Sequence, residues 1–167
     1  MNIPIEAIKE LRQRTGAGIT DCKSALQKAA GDLDRACEDL KEKGFAIAEK
    51  KAHRSTTQGV VESYIHTGKK VGVLLELDCE TDFVARTDQF QQLAHDIAMQ
   101  IAAMSPTYIS ANDIPAGTGV DPAAACLLQQ LFIKDPTKTI EDLIKQGVAA
   151  VGENIRVRRF VRFEVGC

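Results

Sequence analysis

No stretch of this chain approaches the ~20 consecutive apolar residues that a membrane-spanning helix needs, so no transmembrane helix is expected. The N-terminus, MNIPIEAIKELRQRTG, lacks the apolar core of a signal peptide and the Arg/Ser-rich character of a transit peptide. Cysteine pairs at C-x-x-C spacing are missing. Cys22, Cys37, Cys79, Cys126 and Cys167 stand far apart, and only three histidines accompany them. A structural zinc site is therefore not expected. An odd, widely spaced set also fails to read as a secreted disulfide framework. Free thiols in a cytoplasmic protein are the simplest expectation, with Cys167 exposed as the last residue and an intermolecular bridge there as the alternative. Catalytic and nucleotide motifs are absent as well: no G-x-x-x-x-G-K-[ST], no G-x-G-x-x-G after a strand, no H-E-x-x-H, no G-x-S-x-G and no EF-hand loop. Gly16-Ala17-Gly18 falls between two expected helices, where a phosphate role is weak. His53, His66 and His95 fall on unrelated elements. Asp78, Glu80 and Asp82 have no neighbouring base and read as surface charge. A charge excess of one sign is lacking too, with 21 basic residues against 23 acidic and a formal net charge of −2. Arg156, Arg158, Arg159 and Arg162 cluster, but no aromatic stacking pattern surrounds them, so direct nucleic-acid binding is not expected.

What is present is the balance of an ordinary globular protein. The 167 residues are 44% hydrophobic and 26% charged. That length suits one domain, or a small one joined to a larger, and buries about 70% of the unfolded surface. The first fifty residues read as three short helices. Pro4 suits a first turn; Ile5, Ile8 and Leu11 share a face; Gly16 follows as a stop. Thr20 and Asp21 can open the second helix, with Cys22, Ala25, Leu26 and Ala29 inward and Gly31 at its end. Asp32 or Asp34 can cap the third, with Leu33, Ala36, Cys37 and Leu40 inward and Gly44 closing it. Residues 46–58 read as a helical tail becoming a linker. Their basic cluster, Lys50, Lys51, His53 and Arg54, is either a solvated face or a docking patch. The domain division expected is 1–54 and 55–167.

From Gly59 the period becomes strand-like. Val60, Val61, Tyr64 and Ile65 precede a turn at Thr67–Lys70, and Val71, Val73, Leu74, Leu75 and Leu77 form a second strand, which together make an antiparallel hairpin. A long helix is expected over Thr87–Met104, with Phe90, Leu93, Ile97, Ile101 and Met104 packing on that hairpin. Further helices are expected over Pro122–Gln130 and Thr139–Gly147. A last strand is expected over Asn154–Val165. Its alternation separates Ile155, Val157, Arg159, Val161, Phe163 and Val165 from a mostly polar even set in which Phe160 is the exception. The fold class is α+β, an antiparallel sheet backed by helices. One short run stands out. Cys79-Glu80-Thr81-Asp82-Phe83-Val84 joins a buried strand to a long helix, yet places a phenylalanine in what should be a polar turn. Phe83 either folds back as a staple or core residue, or projects as an aromatic anchor flanked by charge.

Three stretches resemble the elongation factor Ts family. They are Leu11–Leu26 (LRQRTGAGITDCKSAL), Cys79–Arg86 (CETDFVAR), and Phe132–Thr139 (FIKDPTKT) followed by Arg158–Val165 (RRFVRFEV). The resemblance implies a bacterial, cytoplasmic guanine nucleotide exchange factor for elongation factor Tu, with no covalent catalysis, no cofactor and no metal. It implies a ubiquitin-associated-like three-helix domain that docks on the nucleotide-binding domain of Tu. Arg12, Ile19 and Thr20 match positions at that contact, although Ile19-Thr20 departs from the Met-rich pair common there. Thr81, Asp82, Phe83 and Val84 match the element that presses beside the Tu nucleotide site and displaces its magnesium ion. The rest of the core is implied to hold the third domain of Tu. Leu131 stands where a proline commonly precedes the Phe-Ile/Val-Lys run. Only about seventy residues separate Phe83 from Asn154, which looks like a short form. Two chains are then expected to pair as a homodimer across an exposed sheet edge or face. The alternative is a plain protein-binding module whose three-helix head recognises another helix or tail.

Overall fold

A computed structural model describes residues 3–167. Three helices come first: α1 (Ile5–Thr15), α2 (Ile19–Lys28) and α3 (Leu33–Lys51). Gly16 adopts the left-handed conformation, and its N–H reaches Arg12 O at 2.8 Å, which ends α1. Asp32 caps α3 by accepting from the N–H groups of Asp34 and Arg35 at 3.0 and 3.1 Å. Leu11, Cys22, Ala25, Leu26, Ala29, Ala36 and Leu40 form one buried cluster. Ile5 leaves the face it was expected to share with Ile8 and Leu11 and is exposed on the first turn.

The second cluster lies between a sheet and two helices. Strands β1 (Gln58–Ile65) and β2 (Val71–Cys79) form the expected antiparallel hairpin. The one-turn helix α4 (Asp82–Ala85) and the long α5 (Asp88–Met104) follow. After α6 (Pro122–Ala125) come a two-stranded hairpin, β3 (Leu131–Phe132) and β4 (Asp135–Thr139), then α7 (Ile140–Val151) and β5 (Arg156–Glu164). The main sheet has the order β1-β2-β5, all antiparallel. Val73, Leu75 and Leu77 of β2 point inward onto Phe90, Ala94, Ile97 and Ile101 of α5, with Ile140, Ile144 and Val148 of α7 completing the cluster. Ala48 belongs here as well, so α3 contributes to both clusters.

Four sequence expectations change. Gly44 does not close α3, and Gly147 does not close α7. Both lie where helices cross at short range. A methyl on Gly44 would stand 3.1 Å from Ala149 Cβ, and one on Gly147 would stand 2.8 Å from Leu93 Cδ2. These glycines serve approach rather than termination, and the actual stop of α7 is the left-handed Gly152. The Pro122–Gln130 helix is broken at Cys126, whose extended backbone separates α6 from a 3-10 turn at Leu127–Gln129. The β3–β4 hairpin went unforeseen. Finally, β5 does not keep one phase. Leu77 pairs with Val157 but Glu76 pairs with Arg159, so Arg158 is an extra residue in a bulge. Beyond it the sides exchange: Phe160 packs on the core, while Val161 and Phe163 face outward. Arg162 then turns inward, and its Nε donates to Ala102 O at 3.1 Å, in the last turn of α5, where a cation is favourable.

Candidate functional site

The turn between β2 and α5 is built from the strand end upward. Cys79 is fully buried, and its thiol donates to Thr81 O at 3.1 Å. Burial, and next the nearby Glu153 carboxylate, push that thiol up to about 11, so it stays protonated and unreactive at neutral pH. Thr81 is extended and caps α4, its hydroxyl accepting from Val84 N at 3.4 Å. Thr87 caps α5 in the same way, accepting from Phe90 N at 3.3 Å, while its own hydroxyl donates to Val84 O at 2.7 Å. Two caps six residues apart thus bracket a helix of a single turn.

Within that bracket the side chains separate. Ala85 is buried, and Val84 packs against the core. Phe83 points the other way and is 78% exposed. The open choice for Phe83 is therefore decided: it projects and does not staple. Asp82 pairs with Arg86 at 2.8 Å on the surface, a contact worth little by itself. Thr81, Asp82 and Val84 accompany Phe83 on this turn as the sequence placed them.

The turn is tied down from behind. Glu153, in the α7–β5 connection, accepts from Glu80 N at 3.1 Å, from Thr81 N at 3.0 Å and from the Thr81 hydroxyl at 2.6 Å. Glu80 accepts in return from Asn154 N at 2.7 Å. The buried Asn154 amide donates to Ala52 O and Arg54 O at 3.3 and 2.9 Å, just beyond α3. Arg54 lies 3.6 Å from Glu80. Sequence reasoning passed over Glu153 and Asn154. Glu153 sits beyond the helix stop, so neither helical nor strand periodicity marks it.

Two other groups of expected residues fall elsewhere. Arg12 lies on the last turn of α1, while Ile19 and Thr20 open α2, on either side of the Gly16–Gly18 connection; all three are exposed. Two of the three histidines, His66 and His95, are less scattered than their spacing suggests. Tyr64 hydrogen-bonds His66 Nδ1 at 3.1 Å and stands edge-on to His95 at 5.6 Å, and His95 meets Glu62 at 3.0 Å. Among the described residues no group of three or more His, Cys, Asp or Glu side chains is arranged to hold a metal ion. No helix there is long and apolar enough to cross a membrane. The cysteines are free: Cys22, Cys79 and Cys126 are buried, Cys37 is half-buried and Cys167 is exposed.

The outer face of the main sheet is the second notable surface. Ile65, Gly72 and Phe163 pair across the three strands, then Ser63, Leu74 and Val161, then Val61, Glu76 and Arg159. The first two rows are largely apolar and open, with Phe163 69% exposed. The third row carries the Arg159–Glu76 ion pair.

A family model described as Elongation factor TS matches residues 15–119. Curated relatives named Elongation factor Ts align over nearly the whole chain. That of Carboxydothermus hydrogenoformans is 47% identical, covering 98% of this chain and 89% of its own. Those of Thermodesulfovibrio yellowstonii and Thermotoga maritima are 48% and 44% identical, each covering 99% of this chain and 98% of its own. The alignments with the first and third span 194 positions and that with the second 195, more than the 167 residues here, so the relatives carry residues with no counterpart in this chain. On the turn motif, the coverage and the identity together, the chain belongs to the elongation factor Ts family.

Proposed function

We propose that this chain serves translation elongation in the bacterial cytoplasm by binding elongation factor Tu in its GDP state and promoting release of the nucleotide. The observation that carries this reading is Phe83, an apolar ring held in water on a doubly capped turn. A solvent-exposed phenylalanine forfeits about 2 kcal/mol that burial in a partner recovers. Phe83 wedges between helices of the Tu nucleotide domain, Asp82 and Thr81 meet polar groups beside it, and Val84 completes the element that presses there. The displaced helices disturb the magnesium and phosphate site. No covalent step is involved, and the chain needs no cofactor, metal or nucleic acid for this role. This chain and GDP each bind Tu and weaken one another, a negative coupling that linkage makes reciprocal. Each ~1.4 kcal/mol of coupling weakens GDP tenfold.

Residues 1–54, a ubiquitin-associated-like unit, dock on the same Tu domain through Arg12, Ile19 and Thr20. Residues 55–167 carry the turn and a sheet face that pairs with a second copy. Two apolar cross-strand rows left open on a three-stranded sheet support a homodimer, because one two-fold contact covers both copies. Release of labelled GDP from elongation factor Tu tests the central reading. Stimulation by the wild-type chain, reduced tenfold or more in Phe83→Ala, is the expected result. An unstimulated rate overturns it.

A further inference from the structure

The exposed turn cannot hold its own shape. A four-residue helix is far below the ~12–15 residues at which an isolated helix becomes even marginal. We propose that Glu153 is the positioning residue for Phe83, acting through a reciprocal clasp with Glu80 and Asn154. This rests on the exchange reading above for its function, though not for its geometry.

The clasp has two directions. The Glu153 carboxylate takes two backbone N–H groups and one hydroxyl from Glu80 and Thr81, all within 3.1 Å. The Glu80 carboxylate takes Asn154 N in return at 2.7 Å. Hydrogen bonds to a carboxylate are about twice as strong as neutral ones. Three of these four donors lie in the two residues immediately before the α4 turn. The Asn154 amide extends the link to the carbonyls of Ala52 and Arg54, so the three-helix segment and the turn share one anchor. With Glu153 removed, the presenting conformation becomes one of many. Apparent affinity for the partner then falls by the fraction of chains still competent, while a turn that does dock acts normally.

The side-chain chemistry supplies a discriminating set of variants. Glutamine keeps the length; its carbonyl can take both N–H groups while its amide donates to Thr81 Oγ. Aspartate keeps the charge but is one methylene too short. Stimulated GDP release is to be measured against concentration for Glu153→Ala, Glu153→Asp and Glu153→Gln, with amide hydrogen exchange at residues 80 and 81 of the free chain. Expected for alanine and aspartate is a half-saturating concentration raised tenfold or more, a maximal rate within twofold of wild type, and amide exchange at least tenfold faster. Glutamine is expected within threefold of wild type on each measure. A merely structural role instead lowers the folded fraction, read by circular dichroism, and speeds amide exchange across the whole chain rather than at residues 80 and 81. Should alanine fail to fold, the aspartate and glutamine pair carries the test. Unchanged amide exchange in Glu153→Asp, or an unshifted half-saturating concentration, overturns the proposal. If the wild-type chain releases no GDP, the exchange reading falls, and the amide measurement still decides the clasp.

Discussion

Phe83 and Phe163 are both phenylalanines left in water, and the chain holds them in opposite ways. Phe83 stands alone on a single helical turn, bracketed by Thr81 and Thr87 and anchored from behind by Glu153. Phe163 lies in a row with Gly72 and Ile65 on the outer sheet face, next to a second row through Leu74 and Val161. A lone ring on a stiff mount buries little area, which suits the proposed displacement of something small and specific. Two adjacent apolar rows bury much more, which suits lasting association. The rigid mount is what makes the first arrangement useful, since a floppy ring pays its ordering cost on binding.

The sharpest separation is a pair of single substitutions. Phe163→Asp places a charge at the β5 end of the first apolar row and is expected to weaken self-association about 30-fold or more, the scale of an interface hot spot, as read by sedimentation. A wild-type chain that sediments as a monomer at micromolar concentration breaks this half of the comparison. Phe83→Ala is expected to cut stimulated GDP release tenfold or more while leaving sedimentation and thermal stability unchanged. A shift in sedimentation there joins the two surfaces that the geometry keeps apart.

A smaller effect comes through α7, the helix that leads into the anchor. In Gly147→Ala the added methyl meets Leu93 Cδ2 at 2.8 Å, too close to be accommodated without movement. Overpacking of this kind costs ~1–3 kcal/mol, against the ~1 kcal/mol that alanine gains in a helix. A net loss of about 1 kcal/mol lowers Tm by ~2–4 °C in a chain this size. Gly44→Ala meets Ala149 at 3.1 Å, a contact relieved by a shift of a few tenths of an ångström, and is expected to be close to neutral.

These positions also mark where the sequence was legible. Periodicity located the three helices, the hairpin and α5, because each has one apolar face. A phenylalanine in a polar turn identified Phe83 as unusual, although only the fold shows it outward. Gly44 and Gly147 misled because a glycine that permits close helix crossing looks like one that ends a helix. The β5 bulge at Arg158 was illegible for another reason. Val157, Val161 and Phe163 alternate perfectly in the sequence, and one unpaired residue turns the later two to the opposite side. Glu153 was missed because its partners lie some seventy residues away, and no local pattern records a bond of that span.

The last contrast uses two cysteines as reporters, one near each surface feature. Cys79 is buried under the Phe83 turn, and Cys167 is exposed just past the strand that carries Phe163. Burial, and then the Glu153 charge, raise the Cys79 thiol from the ordinary ~8.5 to about 11. A thiol raised on folding adds stability that is full below its unfolded pKa and is lost as pH rises toward the folded value. That contribution therefore falls steadily above about pH 8.5 and is gone near 11, so labelling of Cys79 is expected to accelerate across that range. At pH 8 a thiol reagent is expected to modify Cys167 at once and Cys79 only on local opening, at least tenfold more slowly. Phe83→Ala removes an outward ring and should leave that protection intact. Glu153→Ala frees the turn over the thiol and also removes a charge that helps keep the thiol protonated, so both changes should erode it. If Cys79 in the wild-type chain reacts as fast as Cys167, the turn is open on the timescale of labelling, and a rigid mount no longer separates the two phenylalanines.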